Sequence, residues 1–159
     1  MPNWNMNTLK VSDASPELIE YLKAEGFSFA KILPVRYRDG VCPVTQQADT
    51  WGTKWDLSED ESREVANQLI DVGIASFDTA WSPPIYAIKA LSARFYDDQF
   101  TLSYYEGGCG FWGNANFSAG EFGVDNCVEG TPEEASLFLQ EEMGYDKEEA
   151  DDYVGLTDI

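Results

Sequence analysis

Between residues 100 and 128, three aromatic-rich segments are separated by turn-forming residues, and this arrangement constrains the fold more than any other feature. The segments 100–105, 110–117 and 122–128 each have the length of a strand. They are joined through Gly107-Gly108 and Ser118-Ala119-Gly120, which suit tight turns between antiparallel neighbours. The chain therefore contains a β-meander, and a meander with apolar residues needs something packed against it.

The preceding residues supply the rest of a sheet and its helices. Residues 3–12 alternate loosely, with Trp4, Met6, Leu9 and Val11 as the larger apolar members, and read as a first strand. Ser15 followed by Pro16 reads as a helix start, with Leu18, Ile19, Leu22 and Ala24 on its apolar face and Gly26 as C-cap. Residues 27–35 are apolar and are expected to be extended, ending at or near Pro34. Residues 37–49 read as a connecting loop, and Trp51-Gly52-Thr53-Lys54-Trp55-Asp56 as a short extended segment. Ser58 with Glu61 predicts a capping box and a helix to about Val72. Residues 74–80 read as a strand. Pro83-Pro84 opens a helix carrying Ile85, Ile88 and Leu91. Thr131-Pro132 opens another, with Glu134 expected to close a capping box and Ala135, Leu137, Phe138 and Met143 following, and residues 145–153 add a short acidic helix.

This order predicts an α+β, ferredoxin-like antiparallel sheet with helices mainly on one face, plus an acidic C-terminal helical extension. The expected division is a ferredoxin-like body over 1–128 and an acidic extension over 129–159, packed on or trailing the same domain. A chain of 159 residues buries enough surface for a core without covalent staples. No internal repeat or flexible linker divides it.

Charge narrows the partners. The chain has 29 Asp and Glu against 10 Lys and Arg, no His, and a net charge of −19. Direct nucleic-acid binding requires clustered basic residues, and an anionic membrane surface repels such a chain, so neither is an expected partner. A basic protein is attracted, and faster at low salt. Cys42, Cys109 and Cys127 form an odd set without a CxxC pair, which points to a reducing compartment rather than a disulfide framework. With no signal-peptide pattern and no long apolar run, the expected location is the cytoplasm of a host cell.

No catalytic residue, no cofactor and no metal is expected. Without His, the usual Ser-His-Asp and Cys-His mechanisms are closed and the commonest zinc ligand is missing. The run Gly107-Gly108-Cys109-Gly110 lacks the Lys-Ser/Thr ending of a phosphate loop and precedes a strand. Carboxylates are so numerous that no pair stands out as a general acid and base.

Residues 129–159 hold eleven carboxylates against Lys147 alone, a net −10 in the last fifth of the chain. Glu133 and Glu134 suit a helix N-terminus. Glu141, Glu142, Asp146, Glu148, Glu149, Asp151 and Asp152 have no such local reason, and several repel each other at helical spacing. Two readings stay open: a solvated end, or a surface presenting carboxylates to an Arg- and Lys-lined groove as nucleic-acid mimics do. A second candidate region is an aromatic groove with Trp51, Trp55 and Trp81 as walls and Lys54 and Asp56 as polar edges, set against ordinary burial of large rings.

Met1-Pro2-Asn3-Trp4, Trp51 to Asp56, Thr79-Ala80-Trp81-Ser82-Pro83-Pro84, Leu91-Ser92-Ala93-Arg94-Phe95 and Tyr105-Glu106-Gly107-Gly108 followed by Gly113 resemble, in order and spacing, the YubB ferredoxin-like family. Its members are small proteins of plasmids, phages and genomic islands. Asn5-Met6 departs from the Cys-Ser common after the first Trp, and the acidic tail has no counterpart. The resemblance implies a ferredoxin-like fold and a mobile-element origin, and it brings no catalytic residue with it.

The expected function is that of a non-catalytic, anti-defence binding protein of a phage or plasmid. It would inhibit a basic host defence or nucleic-acid-binding protein through an acidic, DNA-mimicking surface. One alternative is a small-molecule enzyme or binding domain using the Trp51, Trp55 and Trp81 region. Another is an assembly protein, marked by a stable homo-oligomer.

Overall fold

The computed structural model describes residues 3–125 and 127–156, without the side chains of residues 124 and 125. Met1, Pro2 and Asp158, which figure in the sequence reading, lie outside them. Six strands, β1 (Trp4–Ser12), β2 (Ile74–Ala80), β3 (Gln99–Glu106), β4 (Phe111–Ser118), β5 (Glu121–Asp125) and β6 (Val128–Glu129), form one sheet. The order is β2-β1-β3-β4-β5, with β6 also on β4, and every pairing is antiparallel. The 100–128 meander thus occupies one half of the sheet, while β1 and β2 complete the other.

Register explains where the core sits. Leu9 lies across from Ala75 and Leu102, and Leu102 from Ala115. Val11 faces Phe100, which faces Phe117. Since side chains alternate between faces, these rows make one apolar floor. Onto it pack α1 (Pro16–Glu25) through Leu18 and Leu22, α4 (Glu59–Val72) through Val65 and Leu69, and α5 (Ile85–Arg94) through Ile88 and Leu91. The opposite face carries a smaller core in which Tyr105 and Trp112 meet Ala135, Leu139 and Met143 of α6 (Pro132–Met143) and Ala150 of α7 (Lys147–Tyr153). The acidic helices are therefore docked on the sheet.

Local signals account for most helix boundaries. Ser15 accepts the N–H of Leu18 at the start of α1, and Ser58 and Glu61 form the reciprocal capping box of α4. Two segments depart from expectation. Residues 27–35 contain a one-turn helix, α2 (Phe29–Ile32), because the Asp56 carboxylate accepts the N–H groups of Phe29 and Ala30 and the hydroxyl of Ser28. Residues 37–49 are not all loop: α3 (Pro43–Trp51) begins with Pro43 in its first turn and ends at Gly52, which has φ 93°. A Cβ at Gly52 would lie 2.9 Å from the Pro83 carbonyl oxygen, so this position requires glycine twice over. Trp51 is accordingly the last residue of a helix rather than part of an extended segment.

Candidate functional site

The five residues of the expected aromatic groove occupy different settings. Trp51 is buried in the main core, where its indole N–H donates to the Leu33 carbonyl at 2.7 Å. Asp56 caps α2. The Lys54 ammonium sits 4.7 Å from the centre of the Trp81 ring, a cation–π contact at the surface. Trp81 has a left-handed backbone, φ 71°, and its N–H donates to the Asn3 carbonyl. Trp55 turns the other way and packs against Trp4, ring centres 6.3 Å apart. Trp55 and Asp56 share a hollow of only about 50 Å³ with Trp4, Glu61 and Asp78, and neither Trp51 nor Trp81 lines it. That volume is far below the few hundred Å³ of a ligand pocket.

The acidic helices have more internal logic than their spacing suggested. Asp146 and Glu149 form a capping box at the start of α7, so both carboxylates have a local role. Asp151 accepts from Ser136 of α6 at 2.6 Å and pairs with Lys147, tying the two helices together. Lys147 first and Ser136 next hold the Asp151 carboxyl below the usual carboxylate pKa range. Ala150 faces inward and is buried. Glu133, Glu134 and Glu141 on α6 point into solvent, Glu142 is half-buried, and Glu148 is exposed on α7. Asp146, Glu148, Glu149 and Asp152 together line a shallow depression.

The arrangement with the most chemical content lies where α7 approaches the edge of the sheet. Here a cleft of about 310 Å³ opens beside β2, the outermost strand on this side. Glu61, Glu64 and Val65 of α4 form one wall, and Tyr145 and Tyr153 form the other. Its floor is made by Ser76, Phe77 and Asp78 of β2 with Met6 and Asn7 of β1. The two phenol rings meet edge to face at 5.2 Å. Asp78 reaches solvent at the rim, yet burial of its carboxyl, reinforced by the Glu61 charge, pushes its pKa up. The Tyr145 phenol is also raised, by burial first and then by Tyr153, Asp78 and Glu149. Each group thus feels the negative charge of a different element across the cleft. None of the residues lining it is Lys or Arg.

Such a cleft favours a cation, because every added positive charge relieves repulsion already present. Among the described residues no group of three or more His, Cys, Asp or Glu is gathered closely enough to hold a metal ion. Glu61 and Glu64 lie on the α4 wall and Asp78 on the floor. None of the residues lining the cleft was a candidate binding residue from sequence: Glu61 was read only as half of a capping box, and the candidate Glu149 lies outside that lining, its charge felt by Tyr145. Asp78 looks like an ordinary outward residue of a strand, and Tyr145 and Tyr153 like helix-end aromatics. Their meeting depends on α6 and α7 folding back across the sheet.

A family model described as the ferredoxin-like domain in Api92-like protein matches residues 50–153, or 104 of 159. The match takes in three of the cleft's elements, α4, β2 and α7, and runs through the acidic helices without stopping at Glu129. No curated protein matches, and no solved structure matches. None of the described helices is long and apolar enough to cross a membrane.

Proposed function

The chain belongs to the family of the ferredoxin-like domain in Api92-like protein, and from that footing we propose that it is a non-catalytic binding protein whose acidic face takes up a basic region of another protein. The observation that carries this reading is that two elements bring carboxylates to one cleft, Glu61 and Glu64 from α4 and Asp78 from β2, while the charge of Glu149 on α7 is felt by Tyr145 on the opposite wall. Like charges held together cost the fold stability, and a cationic partner removes that cost. The net charge of −19 adds long-range attraction, which speeds encounter at low ionic strength.

The finer reading is an accessory protein of a phage or plasmid, acting in the cytoplasm of its host. Its carboxylates occupy the phosphate-binding surface of a host defence or nucleic-acid-binding protein and so inhibit it. The resemblance of its motifs to the YubB family supports the mobile-element origin, and the excess of carboxylates supports the mimicry. Affinity capture from host lysate at about 50 mM and about 300 mM salt tests the reading, since partners held by phosphate-like charge dissociate steeply over that range. Basic proteins are expected at low salt, fewer at high salt, and fewer with the triple variant E61Q/E64Q/D78N. Retention of a neutral or acidic partner at both salts, unaffected by the triple variant, would overturn it.

A further inference from the structure

Resting on that reading, we propose that the β2 cleft and the exposed Trp4–Trp55 pair form one docking track, and that its occupant is an extended segment of a partner protein bearing arginine. Glu61 and Asp78 line both the cleft and the hollow beside Trp4 and Trp55, so the two depressions share a wall and run along the same edge strand. Rings stand at both ends: Tyr145 against Tyr153 at one, Trp4 against Trp55 at the other. Trp4, Trp55 and Tyr153 are about half exposed, and, grouped along one edge beside Glu61 and Asp78, they offer aromatic surface next to carboxylates.

An edge strand ordinarily invites a partner to add a strand to it. This one is obstructed at both ends. The Ser76 N–H donates to the Gln68 side chain of α4 at 3.0 Å, and the Ala80 carbonyl accepts from the Thr53 hydroxyl at 2.9 Å. A docked segment therefore cannot pair along the whole of β2, because the Ser76 N–H and the Ala80 carbonyl are already engaged, and its side chains carry the specificity. Carboxylates alone serve lysine and arginine alike. Carboxylates beside exposed ring faces favour arginine, because a guanidinium stacks flat on a ring while its N–H fork still reaches an oxygen. Elsewhere in the chain a guanidinium already partners a phenol: that of Arg94 lies 5.0 Å from the Tyr21 ring centre and donates to its hydroxyl.

The test uses two synthetic peptides of equal length, identical except that every arginine of one is lysine in the other, titrated into the full chain by calorimetry. The arginine peptide is expected to bind roughly three- to fivefold more tightly, because a guanidinium can stack on a ring and bond a carboxylate at once whereas an ammonium cannot. Asp78→Asn is expected to weaken it about tenfold, as loss of a charge-assisted hydrogen bond does. Tyr153→Ala and Trp55→Ala should abolish the preference for arginine, whereas Tyr153→Phe should keep it. Glu133→Gln and Glu141→Gln on α6 serve as distal controls and should change affinity less than twofold. Equal affinity for the two peptides, or losses at the controls matching that of Asp78→Asn, would overturn the track while leaving a diffuse acidic surface intact. Binding of neither peptide also overturns the track, and salt-sensitive capture of basic proteins then bears on the broader reading separately.

Discussion

Asp56 and Asp78 show how position decides what a carboxylate does. Asp56 is consumed by structure: its two oxygens accept three hydrogen bonds from the start of α2 and one from the N–H of Leu57. Asp56→Ala should cost about 1–2 kcal/mol, the usual loss for a helix cap, visible as a lower urea midpoint with unchanged slope. Asp78 behaves oppositely. Its folded-state pKa is raised, so the folded protein holds that proton more tightly than the unfolded chain does. The stabilisation this brings is present below the unfolded pKa, near 3.8, and is lost as pH rises through the folded value. At neutral pH the ionised carboxylate is a burden on the fold, and Asp78→Asn should raise the melting temperature there. The advantage should shrink as pH falls through the raised folded value and be gone below the unfolded value near 3.8, where the native side chain is neutral in both states. A variant equally stable or less stable than the native protein at pH 7 would show that Asp78 is neither desolvated nor repelled.

Among the elements, those with both boundaries written locally were legible in the sequence, and those bounded from elsewhere were not. Helices α1 and α4 and the strands of the meander follow from Ser15, from Ser58 with Glu61, and from the Gly turns. α2 was missed because Asp56, more than twenty residues away, supplies its N-terminal acceptor. α3 carried a readable signal, Pro43 at one end and Gly52 at the other, masked by the polar and β-branched residues between them. The candidate site was less legible still. Carboxylate composition foretold an acidic surface, and the acidic cluster of α7 was visible, but the cleft arises only when the Tyr145 and Tyr153 wall docks opposite β2 and α4. That docking depends on Leu139, fully buried between α6 and the sheet. Leu139→Ala should cost about 2–5 kcal/mol. Amides of α6 and α7 should then exchange with solvent faster than those of β1 and β3, because the main core lies on the other face of the sheet. Uniform loss of protection would mean that the two cores unfold as one.

At the scale of the molecule, the sheet separates two tasks. One face holds the large core of α1, α4 and α5, which makes the body stable. The other carries two acidic helices on a smaller core, and their folding back brings Tyr145 and Tyr153 to the edge strand. Capping boxes and the Asp151 links to Ser136 and Lys147 absorb part of the acidity that looked surplus in sequence. On one cleft close to exposed tryptophans, Glu64 of α4 and Asp78 of β2 join Glu61, the capping-box carboxylate of α4, while α7 contributes the Tyr153 ring. The central claim is that a basic partner is received there, and backbone NMR during titration with an arginine-bearing peptide tests it most directly. The account predicts shift changes concentrated at Glu61, Asp78, Tyr145, Tyr153 and Trp55, with Glu133 and Glu141 unmoved. Changes spread evenly over the acidic surface, or centred on the outer side of α6, would contradict it.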